Sequence, residues 1–136
     1  MLKLTGEINN WASIIHFTAT NQNNGHFGDR IPGIWVYPGS TNLHFIFGTS
    51  ASVYLECPAK SPDALDLNVW YSIEFKVQGR TAYSFINGIL QQACPFASSI
   101  LKYDNVIIYA SDPWYPAASG MISNLVYENL DISGDE

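Results

Sequence analysis

Hydrophobic and polar positions alternate most regularly between Trp70 and Gln92. Tyr71, Ile73, Phe75 and Val77 fall on one face and Trp70, Ser72, Glu74 and Lys76 on the other, the period-two pattern of a half-buried strand. Gln78-Gly79-Arg80 turns the chain, and Thr81 to Ile86 alternates again, with Tyr83 and Phe85 against Ala82 and Ser84. Asn87-Gly88 is a strong hairpin signal because both residues tolerate positive φ. A three-stranded antiparallel meander is predicted. The apolar spacing of three and four that a helix needs is missing, and the β-branched and aromatic content also favours strands.

The same pattern extends along the chain in shorter pieces. Leu2 and Leu4 suggest a brief first strand, and Trp11 to Thr18 (WASIIHFT) is apolar on both faces, which predicts a strand with a buried centre. Ile34 to Tyr37 and Leu43 to Phe47 form a second hairpin through Pro38-Gly39-Ser40, where proline presets φ and glycine takes the strained position. Val53 to Leu55 is a further short strand, Cys57 to Asn68 is a loop, Val106 to Ala110 (VIIYA) is expected to be a buried strand, and Gly120 to Leu130 closes the sheet. About nine short strands between turn signals predict an all-β, antiparallel fold, a two-sheet β-sandwich of jelly-roll type or a barrel. Chain length and the lack of an immunoglobulin-like Cys…Trp…Cys spacing favour the jelly roll. Residues 1–136 are read as one domain with a solvated acidic tail at 131–136.

Charge narrows the partners. Six Lys and Arg against twelve Asp and Glu give a formal charge of −6, which repels phosphate backbones and anionic membranes and argues against nucleic acid and against membrane insertion. No stretch has the length of a transmembrane helix, and Met1 to Asn10 has neither the apolar nor the basic region of an export signal. Cys57 and Cys94 each precede a proline, with no CxxC or Cys/His cluster to hold zinc. Two readings stay open for them: a pair closing a long loop, or two buried free thiols.

Three further runs carry a family resemblance: Leu67-Asn68-Val69-Trp70-Tyr71-Ser72-Ile73, Ile86-Asn87-Gly88, and Ser119-Gly120-Met121-Ile122-Ser123-Asn124-Leu125. With Gly28-Asp29-Arg30-Ile31-Pro32 and Ser111-Asp112-Pro113-Trp114-Tyr115, their order resembles the concanavalin A-like lectin/glucanase superfamily, and within it the laminin G-like modules of extracellular animal proteins. The resemblance implies a concanavalin A-like jelly roll, an extracellular location as a mature domain, and a glycan or glycoprotein as partner. It also implies calcium as a companion ion, for which Asp29 and Asp112 offer hard oxygen ligands. Modules of this kind usually carry additional strands before the position of Trp11, where ten residues stand here. An open sheet edge beside residues 11–18 is therefore expected, covered by residues 2–7, by a second copy in a homo-oligomer or another partner, or by a missing segment.

Enzymes of that superfamily carry a Glu-x-Asp-x-x-Glu run, which is missing here, and Ser13 and His16 lie three apart on a predicted strand, hence on opposite faces. No catalysis is expected. Sugar binding needs an aromatic face for the apolar side of the ring and planar polar groups for the hydroxyls. The loop from residue 19 to 33 supplies Asn23, Asn24, His26, Asp29 and Arg30, and the loop from 111 to 119 supplies Asp112, Trp114 and Tyr115. The structural alternative is that Asp29-Arg30 is a local ion pair or a turn brace and that Trp114-Tyr115 packs under the loop as a core plug. His16 and His44 read as hydrogen-bonded strand residues and Trp11, Trp35 and Trp70 as core. The expected function is a non-catalytic, lectin-like module binding glycans through its end loops. An extracellular protein-protein adhesion module of laminin G-like type is the alternative.

Overall fold

A computed structural model describes residues 1–57 and 64–128. In chain order its strands are β1 (Leu2–Leu4), β2 (Ala12–Thr18), β3 (Gly33–Val36), β4 (Leu43–Phe47), β5 (Leu55–Cys57), β6 (Trp70–Tyr71), β7 (Ile73–Gln78), β8 (Thr81–Ile86), β9 (Ile89–Pro95), β10 (Ile107–Tyr109) and β11 (Gly120–Ile122). Among the described residues no helix forms. The strands make three antiparallel sheets, ordered β11-β1-β6, β10-β2-β3-β4-β5 and β7-β8-β9.

The meander forms as predicted, with one division. Asn87 receives the Ser72 backbone N–H on its side-chain oxygen at 2.9 Å and donates its own N–H to the Ser72 carbonyl at 2.8 Å. Ser72 therefore leaves the ladder: β6 pairs with β1 and β7 pairs with β8. In that register Ile73, Phe75 and Val77 lie opposite Ile86, Ser84 and Ala82. Phe75 and Val77 thus meet the small Ser84 and Ala82 across the ladder, while Tyr83 and Phe85 stay partly exposed under Lys76.

One core joins the sheets. The inward residues of the five-stranded sheet, including Ile15, Phe17, Val36, Leu43 and Phe45, pack with Leu2, Leu4 and Ile86. Phe45 stacks on Phe75 with centroids 5.5 Å apart, and Phe47 touches the same ring at 5.7 Å. Cys57 on β5 is disulfide-bonded to Cys94 on β9 with Cα atoms 5.7 Å apart. That settles the choice between pairing and free thiols and ties two sheets together at an edge.

Several expectations change. β2 is not an edge: β10 pairs with it on one side and β3 on the other, and every β2 residue is buried. Among the described residues the edges of this sheet are β10 and β5, and on β10 Ile107 and Ile108 are 43% and 48% exposed, so the VIIYA run is not buried. β1 lies between β11 and β6 rather than covering β2. The fifth strand covers 55–57 rather than 53–55 and the closing strand 120–122. Part of the loop expected at 57–68, and the tail at 131–136, lie outside the described residues.

Truncating Phe75 removes the ring that Phe45 and Phe47 share. Phe75→Ala should cost about 3 kcal/mol, the low end for an aromatic deletion because the side chain is only partly buried. Urea denaturation checks this.

Candidate functional site

The predicted site loops meet on β2 through a buried polar cluster. β2 carries a register shift between Ser13 and Ile15, so that Ser13 lies opposite Trp35 and His16 opposite Gly33. A bulge adds one residue and returns the next side chain to the original face. Ser13 and His16, expected on opposite faces, therefore share the face that points away from the core. His16 Nδ1 lies 3.0 Å from the Asp112 carboxylate, and Nε2 donates to the Asp29 carbonyl at 2.6 Å. A backbone carbonyl can only accept, so Nε2 carries N–H, and the other ring nitrogen faces the Asp112 carboxylate in a buried histidine–aspartate contact. Ser13 Oγ accepts the Asp112 N–H at 2.9 Å. With Nε2 held by Asp29, His16 has no bond to Ser13, and the trio is a clamp rather than a nucleophile and its base.

Asp112 is fully engaged. Its second oxygen accepts the backbone N–H groups of Trp114 and Tyr115, each at 3.0 Å, and the first also accepts the Trp35 indole N–H at 3.2 Å. Burial pushes the Asp112 carboxyl up, but the bonds from His16 and the two backbone N–H groups outweigh it and hold the group below its ordinary value. Asp29, also buried, accepts the Thr20 hydroxyl at 2.5 Å and the His26 N–H at 2.9 Å. Each aspartate thus braces its own loop. Among the described residues no group of three or more His, Cys, Asp or Glu side chains gathers as a metal site. With their oxygens committed to internal donors, Asp29 and Asp112 do not fit as calcium ligands.

Above this clamp lies a cleft of about 250 Å³ lined by Trp11, Asn24, Arg30, Trp35, Tyr37, His44, Ile46, Tyr54, Glu56 and Tyr115. Its floor is the outward face of the five-stranded sheet. Cross-strand pairing sets Trp35 opposite His44 and Ile46 opposite Glu56, so alternate residues of β3, β4 and β5 project together. The loop containing Asn24 and Arg30 makes one wall. Of the residues expected from sequence, Asn24, Arg30 and Tyr115 reach the cleft. Trp114 packs instead on His16 and Tyr109, with centroids 5.3 and 5.9 Å away, while the His26 side chain is exposed beside Asp29. Trp11, Tyr37, His44, Tyr54 and Glu56 were not expected in the site. Only the alternation within 33–37, 43–47 and 54–56 hinted at them, and their meeting depends on strand register.

Arg30 dominates the wall. Its guanidinium lies 4.3 Å from the centre of the Trp35 ring and 5.8 Å from that of Tyr54, a cation–π stack on a tryptophan face. Nε donates to the Asn23 carbonyl at 3.0 Å, and Nη2 to the Asn23 side-chain oxygen at 3.1 Å and the Tyr115 hydroxyl at 3.4 Å. Gly33 makes room for this arrangement: a Cβ there would stand 2.1 Å from the Trp35 ring. His44 is wedged between Trp11 and Tyr37, at 4.7 and 5.0 Å. Burial lowers its pKa from 6.5 to about 4, with Arg30 adding to the fall and Glu56 opposing it.

No protein-family model matches the chain, and no curated protein or solved structure shows significant similarity to it.

Removing the Asp112 carboxylate orphans the buried His16, Trp35, Trp114 and Tyr115 donors it satisfies, so Asp112→Ala should cost about 3 kcal/mol or more, read from the urea midpoint. His44 gives a pH signature. Its folded pKa lies below the ordinary 6.5, so between pH 6.5 and about 4 the unfolded chain binds the extra proton. Stability contributed by neutral His44 is full above 6.5 and is lost as pH falls to about 4. Across that window His44→Gln should show a shallower decline than the wild type; parallel curves would refute the assignment.

Proposed function

We propose that the protein is a non-catalytic carbohydrate-binding module. Its sheets are read as the two layers of a jelly-roll sandwich of the concanavalin A-like, laminin G-like kind, with the glycan seated in the cleft on the five-stranded sheet. The observation that carries this reading is the cleft's lining. Trp11, Trp35, Tyr37, Tyr54 and Tyr115 supply aromatic faces, and Asn24, Arg30, His44 and Glu56 supply polar groups beside them. Apolar walls with a few placed polar groups characterise small-ligand sites, and flat rings next to hydrogen-bonding side chains suit the two faces of a sugar.

Hydrolysis of a glycoside requires a pair of carboxyl groups flanking the bond. Glu56 is the one carboxylate lining the cleft, which supports binding without cleavage. The disulfide is compatible with an extracellular location. Among the described residues no helix is long and apolar enough to cross a membrane.

A glycan array, run with and without EDTA, tests the proposal. Binding is expected and should survive EDTA, since the buried aspartates are spent on internal bonds. Tyr54 is 45% exposed at the rim, so Tyr54→Ala should weaken binding about tenfold, roughly 1.4 kcal/mol, while thermal stability stays unchanged. No binding in either condition counts against the proposal. The adhesion alternative draws on a separate observation, the exposed Ile107 and Ile108 on edge strand β10, where a partner could add a strand. Concentration-dependent self-association in light scattering would favour it.

A further inference from the structure

We infer that the sugar taken by this cleft is acidic, a uronic or sialic acid whose carboxylate is received by Arg30; the inference rests on the glycan-binding reading above. The observation is an unbalanced charge. Arg30 is only 6% exposed, yet among the described residues no carboxylate lies within 4.0 Å of its guanidinium. Buried arginines are ordinarily paired, because taking a charge out of water is costly without a partner.

The nearby acids are committed elsewhere. Asp112 faces His16, and Asp29 accepts from Thr20 and His26. Glu56, across the cleft, stands 3.4 Å from both the Tyr37 hydroxyl and His44 Nδ1. Three of the five guanidinium N–H groups are held by Asn23 and Tyr115. Among the described residues no hydrogen bond engages Nη1, and Arg30 lines the cleft, so its two N–H groups are the donors left for a ligand there. The Trp35 face fixes the plane of the guanidinium, leaving a donor whose position is set before any ligand arrives. A carboxylate there would form charge-assisted bonds and balance the charge.

Ring-shaped acids fit better than acidic peptides. The donor is enclosed by aromatic faces in a cleft of about 250 Å³, which suits a compact ring rather than an extended chain. Glu56 and Asn24 are placed to meet hydroxyls. The net charge of −6 does not oppose a local contact, because exposed charges beyond about 8 Å are screened at physiological ionic strength.

The test compares glucuronic, galacturonic and N-acetylneuraminic acids with their carboxyl-reduced counterparts, which keep ring and stereochemistry, by calorimetric titration of the wild-type protein. At least one acid should bind at least about tenfold more tightly than its reduced form, and Arg30→Gln should reduce that ratio to within about twofold. Equal or tighter binding of the reduced sugars overturns the inference and leaves the glycan reading standing. Silence from every sugar, acidic and neutral, on titration and on the array overturns both. Tighter binding of a polyglutamate peptide than of any sugar acid would assign Arg30 to a protein partner and overturn the inference. The wild-type comparison decides the matter even where Arg30→Gln fails to fold.

Discussion

The contact between His16 and Asp112 organises the outward face of the five-stranded sheet. A carboxylate is costly to bury, and it holds only when donors fill its oxygens. Here Trp35, Ser13 and the backbone of residues 114–115 fill the remaining positions on Asp112, while the other ring nitrogen of His16 reaches the Asp29 carbonyl. One strand thereby fixes two loops lying 83 residues apart in the chain, from Asp29 to Asp112. The same acid positions the Trp35 indole, and the indole carries Arg30. The cleft wall is therefore supported from beneath by a chain of contacts that begins inside the sheet.

The cluster also explains why each loop can be long without losing its shape. Residues 19–32 close on themselves where the Ala19 N–H meets the Gly28 carbonyl and the Ile31 N–H meets the Phe17 carbonyl, at 2.8 and 2.9 Å. Inside the loop, Asp29 takes the place of a partner strand by accepting from Thr20 and His26. Satisfying backbone groups with a buried side chain is what separates an ordered binding loop from a disordered one.

Local signals in the sequence were the reliable ones. Strand alternation from 73 to 77 and the Asn87-Gly88 turn specify their own geometry, so β7, β8 and β9 are legible directly, and the apolar residues on both faces of 12–18 announce a strand with a buried centre. The two segments are legible as loops for the same reason, since their Asn, Asp, Gly and Pro content excludes ladder pairing. What escaped depends on pairing between distant segments. The bulge between Ser13 and Ile15 leaves no mark on composition, yet it moves His16 to the face of Ser13. Trp11, Tyr37, His44, Tyr54 and Glu56 come together only once β3, β4 and β5 are in register. β10 was misjudged because an apolar edge strand and an apolar central strand have the same residues.

The bracing of residues 19–32 has a consequence for substitution. Thr18, Thr20, Asp29 and Arg30 bear the internal bonds, whereas the side chains of Asn24, His26 and Phe27 at the tip are exposed. Fixed stem and free tip are thus different residues. Substitutions at the tip therefore leave the bonds that shape the loop, and the strand beneath, unaltered.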